Sequence, residues 1–123
     1  MNNSPAHAAE QSAATIVKYY TLVITLEFPT DEVLDLTLAH WISSERIDYW
    51  RRACPSEPRA NIQPEKISIP YAVIHDGNWY EPGEGASFFV DKHSAADDVW
   101  EKKVRSIVAG LTDGWLSLLY CHS

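Results

Sequence analysis

The sequence predicts an α+β fold with the element order β-α-β-β-α-β, and three observations carry that expectation. Residues 16–28 (IVKYYTLVITLEF) are a run of β-branched and aromatic side chains that ends at Pro29, the signature of a long strand. Trp100, Val104, Ile107, Val108 and Leu111 recur at helical spacing, the cleanest such period in the chain. Residues 115–122 (WLSLLYCH) follow the breaker Thr112-Asp113-Gly114 and read as a closing strand.

Each element follows in order. Residues 1–15 are small and polar and are expected to be a disordered leader, with one domain over 16–123. In the first strand the even positions Tyr20, Leu22, Ile24, Leu26 and Phe28 form an apolar face, and the odd positions 19–27 a mixed, half-wet one. Thr30 is a good N-cap, with Asp31, Glu32 and Asp35 where the helix dipole favours acids. Leu34, Leu38, Trp41 and Ile42 carry the first helix, which runs to Arg52 or restarts at Ser43-Ser44 with Ile47 and Trp50 inward. Pro55, Pro58 and Pro64 mark a loop. A second strand over 67–75 holds Pro70, which points to an edge position because proline cannot donate to a ladder. Asp76-Gly77 is a turn, 86–91 (ASFFVD) a third strand, and Ser94 caps a second helix over 94–111. The whole is the ferredoxin-like split βαβ pattern: a four-stranded antiparallel sheet with both helices on one face.

The 123 residues carry ten Lys+Arg against seventeen Asp+Glu, a net charge of −7. Nucleic acid and anionic membrane surfaces gain their partners' affinity from basic residues, so neither is an expected partner. The start of the chain has no basic segment followed by an apolar core, and no stretch is apolar long enough to span a bilayer, so a cytoplasmic protein is expected. Cys54 and Cys121 match no metal spacing and are expected as free thiols.

No catalytic constellation stands out. His75 and Asp76 are adjacent on a strand and point to opposite faces, so they cannot act as base and orienter. In the expected sheet His75 lies at the opposite pole from His122, His93 shares that pole with His122 but with one strand between them, and Cys121 and His122 face opposite sides, which argues against a zinc site. Cys54 follows Arg51-Arg52, which would activate it only if both guanidiniums turned toward it. Phosphate-loop motifs are absent, and the third strand lacks the basic partners of an RNA-binding sheet. No cofactor is expected.

Three segments resemble a group of small uncharacterised proteins of phages and mobile elements: 71–85 (YAVIHDGNWYEPGEG), Trp100-Glu101-Lys102, and the closing Leu118-Leu119-Tyr120-Cys121-His122. The Gly-Gly-Arg-Trp segment of longer members is missing here, and Tyr120 stands where they carry Asp. What the resemblance implies is a phage or prophage source, where small acidic proteins inhibit host enzymes or defence complexes.

The expected function is therefore an acidic module that binds a basic surface on a protein partner, as an anti-CRISPR-like or immunity-protein-like inhibitor. The expected binding residues lie in the hairpin over 75–85: Trp79 and Tyr80 as aromatic anchors, with Asp76, Glu81 and Glu84 as an acidic rim. A core role for Trp79 stands beside that reading. The rival is a small dimeric α+β-barrel protein, such as a cofactor-independent monooxygenase, with a pocket lined by the odd face of the first strand and Trp115.

Overall fold

The computed structural model describes residues 16–83 and 95–122, an α+β fold with two helices and a mixed sheet of six strands. The expected third strand at 86–91, the Ser94 cap and the leader 1–15 lie outside the described residues. The strands are β1 (Ile16–Thr25), β2 (Tyr49–Arg52), β3 (Glu57–Pro58), β4 (Ile69–His75), β5 (Asn78–Tyr80) and β6 (Trp115–His122). The helices are α1 (Asp31–Ser43) and α2 (Ala95–Ala109). Spatial order is β2-β6-β1-β4-β5, with β3 continuing β2 along the outer edge of β6. β1 pairs antiparallel with β6 but parallel with β4, so the sheet is not all-antiparallel.

The helices occupy opposite faces, which corrects the expected one-faced arrangement. On one face α1 packs Leu34, Leu38 and Trp41 against Val23, Ile74, Leu119 and Cys121. On the other, α2 packs Trp100, Val104 and Val108 against Leu22, Ile24, Val73 and Leu116. Successive residues of a strand face opposite ways, so Leu22 and Val23 serve two different cores. Thr21, Val23 and Thr25 are buried on the α1 side rather than half-wet. Trp41, Trp100, Leu22 and Ile24 are buried, while Ile107 and Leu118 are half-buried.

Two boundaries are set by local bonding. β1 stops at Thr25, whose hydroxyl donates to the Glu27 carbonyl (2.9 Å) and bends the chain out of the sheet. Leu26 and Phe28 thereby leave the apolar face expected of them and stand 80% and 60% exposed. Thr30 caps α1 as expected, accepting from the Val33 N–H at 3.1 Å. The helix breaks at Ser43, as the second of the two expected courses has it, but does not restart: Glu45 takes a left-handed φ of 65°, and the Arg46 and Ile47 N–H groups both close on the Trp41 carbonyl. The chain then adds β2, where Tyr49 stacks on His122 and the Trp50 indole donates to Asp35 of α1.

β4 lies between β1 and β5 and is no edge strand. Pro70 is tolerated because β5 pairs only with Val73, Ile74 and His75, leaving the first residues of β4 outside that ladder. The buried Pro70 carbonyl instead accepts the Trp100 indole N–H at 2.9 Å. Between β3 and β4 two short 3-10 turns cross the α2 side of the sheet, with Arg59 donating to the Val108 carbonyl and Arg105 to the Pro64 carbonyl. No described helix is long and apolar enough to cross a membrane.

Candidate functional site

Strand alternation decides the fate of the expected hairpin site. Asp76 (φ 55°) and Gly77 (φ 79°) form the two-residue turn, and β5 then sends Trp79 and Tyr80 to opposite faces. Trp79 joins the α1 side, its ring centroid 5.6 Å from Trp41, with the Arg46 guanidinium 4.6 Å above it. One carboxylate oxygen of Glu81 accepts from the Trp79 indole (2.8 Å) and from Arg46 (2.7 Å), closing a clasp within the chain. Tyr80 packs into the α2 cluster, with the Lys103 ammonium 5.0 Å from its ring. Asp76 stands apart at the turn, and Glu84 lies outside the described residues. The structure brings Trp79 and Glu81 together and gives them a partner of their own; it does not gather the described four on one surface.

Asp76 belongs to a different assembly. The parallel strands β1 and β4 end at the same pole, and there a cleft of about 520 Å³ opens between the two helices. Leu26, Glu27, Val33 and Thr37 line one side, and His75, Asp76 and the segment 110–113 the other. Crevices at the carboxyl ends of parallel strands are common ligand positions, because the chain diverges there to helices on either face. Glu27, Asp76 and Asp113 supply three exposed carboxylates, and no Lys or Arg lines the cleft. α2 also ends here, presenting the negative end of its dipole. Gly114 fixes the return into β6: its φ is 100°, and a Cβ would stand 2.8 Å from the Thr25 carbonyl oxygen. Beside it Phe28 sits edge-on to Trp115, ring centroids 4.8 Å apart.

The arginine side chains are engaged within the chain, which the sequence pattern did not reveal. Arg46 holds Glu81; Arg52 holds Asp31, the Pro29 carbonyl and Ser56; Arg105 holds Glu101 and the Pro64 carbonyl. Arg59 caps the Val108 and Ile62 carbonyls, and Arg51 lies 4.6 Å over the Tyr120 ring. All five arginines of the chain are thus engaged. By contrast every described acidic side chain except Glu101 is exposed.

The remaining candidates for chemistry are separated. His75 ends β4 at the carboxyl pole of β1, whereas His122 ends β6 at the opposite pole. Among the described residues no group of three His, Cys, Asp or Glu is placed to hold a metal ion, and His93 lies outside them. Cys54 is exposed at the mouth of a pocket of about 370 Å³ floored by Leu22, Leu116 and Leu118, and both neighbouring guanidiniums are engaged elsewhere.

Burial pushes the Cys121 thiol up, only partly opposed by its hydrogen bond to Thr21. Burial, then the Glu81 charge, raises Tyr71 against the opposing charge of Arg46. Both groups are neutral when protonated, and the unfolded chain gives up these protons first as pH rises. The contribution of these two groups to stability is therefore full at neutral pH and is lost as pH rises above about 9 for Cys121 and above about 10 for Tyr71. Urea titrations between those values should show the decline, and Cys121→Ala should make its first part shallower. A stability that is flat or rising over that range would refute the assignment.

No family model matches the chain, and neither the curated proteins nor the solved structures yield a match.

Proposed function

We propose that this chain is a small acidic protein-binding module, an inhibitor of a host protein of the anti-CRISPR or immunity-protein kind, which takes its partner through a basic surface. One observation carries the reading: each arginine is engaged by groups of the chain itself, while all described carboxylates but Glu101 are exposed, so the acidic excess lies on the surface a partner meets. Such a surface raises the rate of encounter with a basic partner more than it holds the complex together. The phage or mobile-element setting is supported by the resemblance over 71–85, at Trp100-Glu101-Lys102 and in the closing Cys121-His122.

The test is capture of a partner by the tagged full chain in its native host, followed by assay of that partner's activity with and without the chain. The expected partner has a basic contact surface, loses activity on binding, and is released as salt rises from about 0.1 M to about 1 M, where the screening length falls from about 10 Å to about 3 Å. A partner indifferent to salt, or no partner together with turnover of a small-molecule substrate by the chain alone, would overturn the reading.

A further inference from the structure

The geometry points to the carboxyl pole of β1 and β4 as the docking face, and to a lysine- or arginine-bearing segment of a protein partner as its occupant. This deepens the reading of the chain as a protein-binding module and rests on it. The hairpin anchors are already in use, since Trp79 and Glu81 are closed in the clasp with Arg46 and Tyr80 is packed on the α2 side.

The pole has both things a basic segment needs. Its apolar part is Leu26 and Phe28, the two most exposed large apolar side chains of the β1–α1 connection, at 80% and 60%. Neither contributes to a core, and the bend at Thr25 together with the buried Pro29 holds them outward, so the loop presents them pre-formed. Their area is removed from water only when something covers it. The charged part is the cleft beside them, whose rim carries Glu27, Asp76 and Asp113, with His75 as the other titratable lining group and no Lys or Arg among the lining side chains. A lysine or arginine joins an aliphatic stem to a cationic head, so one side chain can cover Leu26 while its head reaches the carboxylates. A ligand of anionic chemistry meets only repulsion here.

The test uses the full chain, isotope-labelled for amide NMR, and a defined probe: a short synthetic peptide of lysine and leucine, compared with its glutamate and leucine counterpart. The lysine peptide is expected to shift amides at 25–28, 75–77 and 110–114, and the glutamate peptide to leave them in place. Neutralising the pole (E27Q, D76N and D113N together) should weaken the lysine peptide about tenfold, and so should L26S with F28S. Removing equal charge away from the pole (D48N, E65Q and D98N together) should leave affinity within about twofold, because exposed charges beyond a screening length act weakly. Thermal melts of each variant establish that it is folded; should L26S with F28S melt below the parent, the charge-neutralised pair of variants decides alone.

Shifts centred on Trp79–Glu81, equal loss from both charge-matched variants, or pole shifts that grow with protein concentration and no peptide would each overturn the proposal, the last by assigning the face to a second copy. The natural partner separates this failure from that of the broader reading. If it is captured equally by the pole variants, the docking face is wrong and the binding module stands. If no partner exists, the module reading falls.

Discussion

Replacing Trp100 with alanine is expected to cost about 3–5 kcal/mol, a large share of the 5–15 kcal/mol that holds a typical small domain together. Trp100 is 2% exposed and stands at the centre of the α2-side cluster, touching the layer formed by Leu22, Ile69 and Val73. Truncation removes the largest side chain of that core and leaves a cavity that neighbours on a rigid sheet cannot fill. It also strips the buried Pro70 carbonyl of its hydrogen bond at a position where proline has already removed a backbone donor. Trp100→Phe separates the two contributions, since it keeps most of the apolar volume and loses only the indole N–H. Its expected cost is about 1–3 kcal/mol, the penalty of an unsatisfied buried carbonyl plus a small packing loss. Urea unfolding followed by circular dichroism measures both. A Trp100→Ala loss below about 1 kcal/mol would mean that α2 does not seal this face.

Leu38→Ala is expected to cost about 2–5 kcal/mol for the corresponding reason on the other side of the sheet. Leu38 is fully buried among Val23, Trp41, Ile74 and Leu119, so its loss opens a void beneath α1. Leu36, on the outer side of the same helix and 72% exposed, provides the control: Leu36→Ala should fall within about 0.5 kcal/mol of the parent. The double variant Leu38→Ala with Trp100→Ala tests the two-faced arrangement directly. Packed layers lie about 10 Å from a sheet on each side, so two such sites share no contacts and their costs should add within about 0.5 kcal/mol. A large coupling would place both helices on one face and refute the architecture. Where the double variant is too unstable to fold, Leu38→Val with Trp100→Phe gives the same comparison at smaller cost.

How much of this was legible in the sequence depends on the range of the interaction involved. β6 spans the residues its pattern predicts, Trp115–His122, because a strand bounded by a glycine break and alternating about one apolar face leaves little choice. The Thr30 cap, the Asp76-Gly77 turn and the burial of Trp100, Val104 and Val108 were legible for the same reason: each is fixed by residues within one or two turns of chain. β2 was not. Ile47 and Trp50 fit the inner side of a continuing helix as well as they fit a strand, and the free edge of β6 decided between them.

The candidate site divides in the same way. Asp76 was legible as an exposed acid in a turn, but Glu27 and Asp113 come from distant parts of the chain and meet it only because β1 runs parallel to β4. Leu26 and Phe28 continue an apolar alternation, so the sequence put them inside; the chain instead leaves the sheet after Thr25, whose hydroxyl bonds the Glu27 carbonyl, and they stand exposed. The inward engagement of the arginines was invisible, since each reaches its partner across the fold.

By itself the sequence determined the local elements, the acidic balance and the apolar stripe of each helix, all of which follow from periods of two and 3.6 residues. Only the tertiary structure decided which sheet face each stripe covers. An amphipathic helix states that it has a buried side but not against what, and β1, apolar on both faces at Leu22–Ile24, could accept a helix on either. The parallel pairing of β1 with β4 then brought their carboxyl ends to one pole, which the acids and the exposed apolar side chains line.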